Sequence, residues 1–121
     1  MKLRVSFYYV GNIQEATQVY SHFLKCSPSF SSPDWVQFHL DGGELALHLD
    51  PKLDKTEGNA PIHFGAVVSF TVPDIQQALM LAKQQGFRQV GDVQQQTYGK
   101  QVEVRDPWGN RMSLVEVSTA R

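Results

Sequence analysis

The 121-residue sequence predicts an α+β fold of two βαβββ modules placed in tandem as a pseudo-twofold repeat. Three observations predict it. Period-2 and period-3.6 hydrophobic runs spell strand, helix and then further strands twice over. The stretch Val10-Gly11-Asn12-Ile13-Gln14-Glu15-Ala16 recurs as Val72-Pro73-Asp74-Ile75-Gln76-Gln77-Ala78 at a constant spacing of 62 residues, so strand end, helix cap and first apolar position coincide. The hairpins recur as well, with Gly42-Gly43-Glu44-Leu45-Ala46-Leu47 falling on Gly109-Asn110-Arg111-Met112-Ser113-Leu114 at a spacing of 67.

Residues 1–50 form module one. Leu3, Val5, Phe7 and Tyr9 alternate with Arg4, Ser6 and Tyr8 and predict a first strand ending near Val10. Asn12 followed by Glu15 is a helix start of capping-box type, and Ile13, Ala16, Val19, Tyr20, Phe23 and Leu24 share one face of a helix reaching about Lys25. The Ser/Pro-rich stretch 27–34 reads as a loop. Trp35 to Leu40 and Leu45 to Leu49 read as two strands joined by Asp41-Gly42-Gly43, a hairpin signal.

Residues 51–63 are polar and aperiodic and predict a connecting loop, with 50–61 a candidate lid. Module two spans 64–121 within the same single domain. Gly65 to Val72 reads as a strand, Asp74 and Gln77 cap a helix carrying Ile75, Ala78, Leu79 and Ala82 on one face, and Gly86 is placed to end it. Phe87 to Thr97 predicts an edge strand with Val90 and Val93. Tyr98-Gly99 then leads into a hairpin whose turn is Asp106-Pro107-Trp108-Gly109-Asn110. In it Pro107 presets φ, Gly109 accepts positive φ, and Asp106 and Asn110 can bond nearby backbone.

Composition excludes several functions. Eleven basic and twelve acidic residues give a net charge of -1 with no basic stripe, which argues against a nucleic-acid partner. The apolar run at the N-terminus is too short for a secretory or membrane-spanning segment, so no membrane partner is expected. A single cysteine, Cys26, cannot make an internal disulfide and fits a reducing cytoplasm.

The stretch Arg105-Asp106-Pro107-Trp108-Gly109-Asn110-Arg111-Met112-Ser113-Leu114-Val115-Glu116 resembles the closing hairpin of the vicinal oxygen chelate superfamily, which includes glyoxalase I, the bleomycin-resistance proteins and extradiol dioxygenases. The resemblance implies two curved mixed sheets enclosing a groove, with helices outside. It also implies, for enzymes of the family, one divalent metal held by the first and last strands of each half. Carried onto this sequence, those positions are Val5, Val67, Ser113, and either Ala46 or His48. About three His, Glu, Gln or Asp ligands are needed, so no metal cofactor is expected. A divalent metal on His48, His63 and Glu103 is the alternative. His22 reads as a helix surface or packing residue, and the pattern does not place His39.

Function is therefore sought in the groove. Aromatic residues border it on this reading. Trp35, Tyr98 and Trp108 sit beside turns and are the candidate ligand-binding rings with His48, whereas Phe7 and Phe38 are assigned to the core. Tyr98-Gly99 ahead of the closing hairpin resembles the bleomycin-resistance-like branch, which implies a homodimer and ligand binding without metal. No acidic run is present to receive a cationic glycopeptide, so bleomycin itself is a poor candidate. The favoured expectation is a protein that binds a small aromatic or amphipathic molecule. The alternative is a lyase, isomerase or dioxygenase, either metal-dependent or using His48 and Glu103 as an acid/base pair. A third is an accessory domain that binds a protein partner.

Overall fold

The computed structural model describes residues 1–55 and 67–118. His63 and the part of the candidate lid beyond Lys55 lie outside the described residues. The chain divides into two compact units, residues 1–55 and 56–121. Each holds a four-stranded mixed sheet with one helix, and the two share one topology. Among the described residues no helix is long and apolar enough to cross a membrane.

Unit one contains β1 (Ser6–Val10), α1 (Ile13–Leu24), β2 (Phe30–Ser31), β3 (Trp35–Leu40) and β4 (Gly43–Leu49). The sheet order is β1-β4-β3-β2, with β1 parallel to β4. Helix α1 starts where expected: the Asn12 side chain accepts a hydrogen bond from the Glu15 backbone N–H at 2.9 Å. It ends on Lys25, which takes the left-handed conformation at φ 59°. Its apolar stripe, Ala16, Val19, Tyr20 and Phe23, is buried, as are Val36, Phe38, Leu45 and Leu47 of the sheet. The stretch expected to be all loop contains β2, which pairs with β3 through Phe30 opposite Gln37.

The first strand departs from its predicted phase. It begins at Ser6, and Leu3 is exposed. Pairing with β4 sets Tyr8 opposite Leu47 and turns Tyr8 to the helix side, its ring centroid 6.4 Å from that of Tyr20. Phe7, assigned to the core from sequence, points to the opposite side with Tyr9; they are 44% and 49% exposed. The physical reason is that both faces of this strand carry rings, so alternation alone cannot choose the buried one.

Unit two contains β5 (Val68–Thr71), α2 (Ile75–Gln84), β6 (Arg88–Gln96), β7 (Gly99–Arg105) and β8 (Arg111–Val117), in the order β5-β8-β7-β6 with β5 parallel to β8. Asp74 caps α2 by accepting from the backbone N–H groups of Gln76 and Gln77 at 3.0 and 3.2 Å. The N–H of Ile75 finds its partner across the unit, donating to Glu116 Oε1 at 2.8 Å. At the other end Phe87 N–H bonds to Ala82 O and Gly86 N–H to Lys83 O, with Gly86 at φ 87°, a Schellman ending in which Phe87 is buried. Strand β6 is an edge strand, and its pairing with β7 slips between Val90 and Gln94, around Gly91 at φ 77°.

Candidate functional site

Three chemical devices hold the second hairpin in place. Asp106, 2% exposed, accepts from the backbone N–H of Trp108 at 2.9 Å and of Asn110 at 2.8 Å, and from the Asn110 side-chain amide at 2.9 Å. A buried carboxylate is tolerated because it is fully hydrogen-bonded. Gly109 supplies the positive φ, 88°. At the far end, Gly99 has φ 140°, and a Cβ there would lie 2.0 Å from the Glu116 carbonyl oxygen, so the Tyr98-Gly99 pair admits no side chain at its second position.

In unit one, α1 covers one face of the sheet and the other is helix-free. Strand register decides which residues share that helix-free face: Tyr9 lies opposite His48 on β4, and His48 lies opposite Trp35 on β3, with Phe7 opposite Ala46 one step along. Three rings thus gather around a histidine. Ring centroids stand 5.4 Å apart for Phe7 and Trp35, 5.5 Å for Phe7 and Tyr9, 5.9 Å for Phe7 and His48, 5.2 Å for Tyr9 and His48, and 5.6 Å for Trp35 and His48. Edge and tilted pairs at these separations contribute about 0.5–1.5 kcal/mol each beyond their burial.

The imidazole has a defined tautomer. His48 Nδ1 lies 3.0 Å from the carbonyl oxygen of Leu49, and because a carbonyl only accepts, Nδ1 carries the hydrogen. In the neutral ring Nε2 therefore keeps its lone pair.

A polar chain extends from the aromatic cluster along β3 and β4. The Trp35 indole N–H donates to Gln37 Oε1 at 3.0 Å, and Gln37 Nε2 donates to Glu44 Oε1 at 3.1 Å. Glu44 Oε2 receives the Nδ1–H of exposed His39. Hydrogen bonds from Gln37 and His39 hold the Glu44 carboxyl below its ordinary value. His39, which the pattern left unplaced, therefore belongs to the same face as Trp35. His22 sits apart on α1, its Nδ1–H bonded to Gln18 O at 2.7 Å.

The remaining expected residues belong to unit two and differ in setting. Tyr98 is exposed in the turn between β6 and β7. Trp108, expected to face a ligand, is 4% exposed and counts among the buried apolar residues. Glu103 is engaged by Arg111, whose Nε and Nη2 donate to its two carboxylate oxygens at 3.0 and 2.8 Å. The Arg111 hydrogen bonds depress the Glu103 carboxyl below its ordinary value, opposed by desolvation, which leaves it ionised and poorly suited to be an acid/base partner. Phe7, Gln37 and His39 were not chosen from sequence. Once β1 and β4 are paired, the parity of Phe7 with Ala46 is the signal that finds Phe7.

The same registers show what stands beside Ala46, His48 and Ser113, whereas Val5 and Val67 precede their strands. On the helix-free face of unit one, Phe7 stands opposite Ala46 and Tyr9 opposite His48; in unit two Ser69 stands opposite Ser113. An imidazole, a phenol and carbon side chains in unit one, and two serine hydroxyls in unit two, are each a poor donor set for a catalytic divalent ion. Among the described residues, no three His, Cys, Asp or Glu side chains converge as a metal site.

The sequence profile of the Glyoxalase/Bleomycin resistance protein/Dioxygenase superfamily matches residues 3–114 of this chain. No curated protein matches it. Among solved structures, a glyoxalase/bleomycin resistance protein/dioxygenase family enzyme from Burkholderia phytofirmans PsJN superposes with a TM-score of 0.77 at 12% identity, covering 98% of this chain and 100% of its own. A protein from Agrobacterium tumefaciens solved in solution gives 0.73 at 24% identity, covering 98% and 99%. The fosfomycin resistance protein FosX from Mesorhizobium loti gives 0.69 at 11% identity, covering 98% and 93%. At these identities the likeness is one of fold.

Proposed function

The chain belongs to the Glyoxalase/Bleomycin resistance protein/Dioxygenase superfamily, and we propose that within it this protein binds a small aromatic or amphipathic molecule on the helix-free face of its first sheet, without the divalent metal usual for the family's enzymes. The observation that carries the reading is the group of Phe7, Tyr9 and Trp35 around His48, with the Trp35 indole oriented by Gln37. Half-exposed aromatic surface with a few directed polar groups suits a flat ligand, which gains by stacking and by burial. His48 Nε2 supplies one directed hydrogen-bonding atom in the middle of that surface. The donor set supports the metal-free part of the reading.

Two measurements test it. Plasma mass spectrometry of dialysed protein is expected to find metal well below one ion per chain, unchanged in His48→Ala; near-stoichiometric metal that is lost in the variant would overturn the metal-free site. A screen of aromatic and amphipathic compounds by tryptophan fluorescence is expected to give ligands whose affinity falls at least about tenfold in Trp35→Ala, the size expected for losing one stacked anchor. Ligands that bind Trp35→Ala as well as wild type would remove the site from this face.

A second reading is favoured by one specific feature, the fixed tautomer of His48, which presents Nε2 as a proton acceptor. On it the protein is a metal-independent lyase or isomerase with His48 as the base. Turnover of a bound ligand that vanishes in His48→Ala while binding persists would select this reading.

A further inference from the structure

We infer, on the reading that the helix-free face of unit one is the binding surface, that its ligand is an uncharged aromatic carrying a hydrogen-bond donor, a phenolic hydroxyl or a ring N–H, which donates to His48 Nε2. Strand register fixes what this face presents. Tyr9, His48 and Trp35 form one row across β1, β4 and β3; Phe7, Ala46, Gln37 and Phe30 form the next and reach β2; Glu44 and His39 form a third. Ala46 is small enough for Phe7 and Trp35 to meet across β4, ring centroids 5.4 Å apart, so the surface beside His48 is continuous aromatic carbon.

Charge on the face selects against anions. None of these positions carries Lys or Arg, and their only carboxylate, Glu44, is bonded to Gln37 and His39. A ligand carboxylate or phosphate laid over these rings would find no Lys or Arg to pair with, and burying an unpaired charge is strongly unfavourable. An uncharged ring escapes that penalty.

Hydrogen-bond directions select for a donor. The Trp35 indole N–H is directed to Gln37 Oε1, and Gln37 Nε2 turns to Glu44, so the indole hydrogen does not meet the ligand. His48 is different. Its Nδ1–H turns to its own strand at Leu49 O, and the second nitrogen lies across the imidazole, so in the neutral ring the Nε2 lone pair looks away from that carbonyl. Phe7, Tyr9 and Trp35 surround this ring, and it is half-buried. A ligand that covers the rings displaces water from Nε2, and an acceptor left unmet there loses its hydrogen bond. The same ring system bearing an O–H or N–H restores it.

Calorimetric titration at neutral pH tests this with naphthol, its methyl ether and naphthoate, which share one ring system as donor, non-donor and anion. Wild type is expected to bind naphthol at least about fivefold more tightly than either of the others, the size of one net hydrogen bond. His48→Phe, which keeps a ring without an acceptor, is expected to bind naphthol and the ether alike, and Trp35→Ala to weaken both. Equal binding of naphthol and ether by wild type, with both weakened in Trp35→Ala, would overturn the donor and leave the aromatic face standing. A naphthol advantage that persists in His48→Phe, or naphthoate as the tightest of the three, would also overturn it. Binding that Trp35→Ala leaves unchanged, or no binding of any of the three, would remove the face itself and the donor with it.

Discussion

Glu103 illustrates how one residue changes role between sequence and structure. As an isolated carboxylate on a strand it is a candidate base; beside Arg111 it is half of a bidentate ion pair. Its folded-state carboxyl is held below the ordinary value of 4.5, so its stabilisation is present above the unfolded pKa and is lost as pH falls through the lower folded value. Glu103→Gln is therefore expected to be less stable than wild type by about 1 kcal/mol at neutral pH, the modest size reflecting solvent screening. The difference should shrink as pH drops below 4.5, and urea titrations of both proteins at pH 7 and at acid pH check it. Lys25 makes the opposite case. It is a non-glycine residue at φ 59° ending α1, a conformation that disfavours side chains. Lys25→Gly is expected to raise stability by about 0.5–1 kcal/mol, read as a higher urea midpoint at unchanged slope.

At the scale of elements, caps and turns carry most of the local instruction. Asn12 and Asp74 start their helices through the same side-chain to backbone bond, and the Asp106 turn closes its hairpin with bonds that the Asp-Pro-x-Gly-Asn spacing makes available. Gly99 is different, because its requirement comes from another strand. The β8 backbone at Glu116 occupies the place a Cβ would take. Gly99→Ala is expected to cost at least about 3 kcal/mol, since neither the backbone clash nor the φ of 140° can relax cheaply. Circular dichroism melts should show a fall of more than roughly 10 °C; a fall of only a degree or two would refute the close approach.

At the scale of the whole molecule the repeat is the organising fact: β1 runs parallel to β4 as β5 does to β8, and both sheets share one strand order. The two units have diverged in what their helix-free faces present, rings around His48 in the first and arginines with Glu103 in the second. The resemblance to the bleomycin-resistance-like branch leads to the prediction of a homodimer. Light scattering of the purified protein is expected to give twice the 13.6 kDa chain mass, and a mass of one chain across micromolar concentrations would refute it.

The sequence by itself determined the two βαβββ modules, both helix caps, the closing turn and the family, because each depends on contacts within a few residues or on a spacing that recurs. It also singled out His48 and Trp35, which the strand register sets opposite one another. It could not turn Phe7 away from the core, nor tie Glu103 to Arg111. Those outcomes depend on which residue of one strand stands opposite which residue of another. A shift of one position reverses the face of every side chain, and only the paired sheet decides the register.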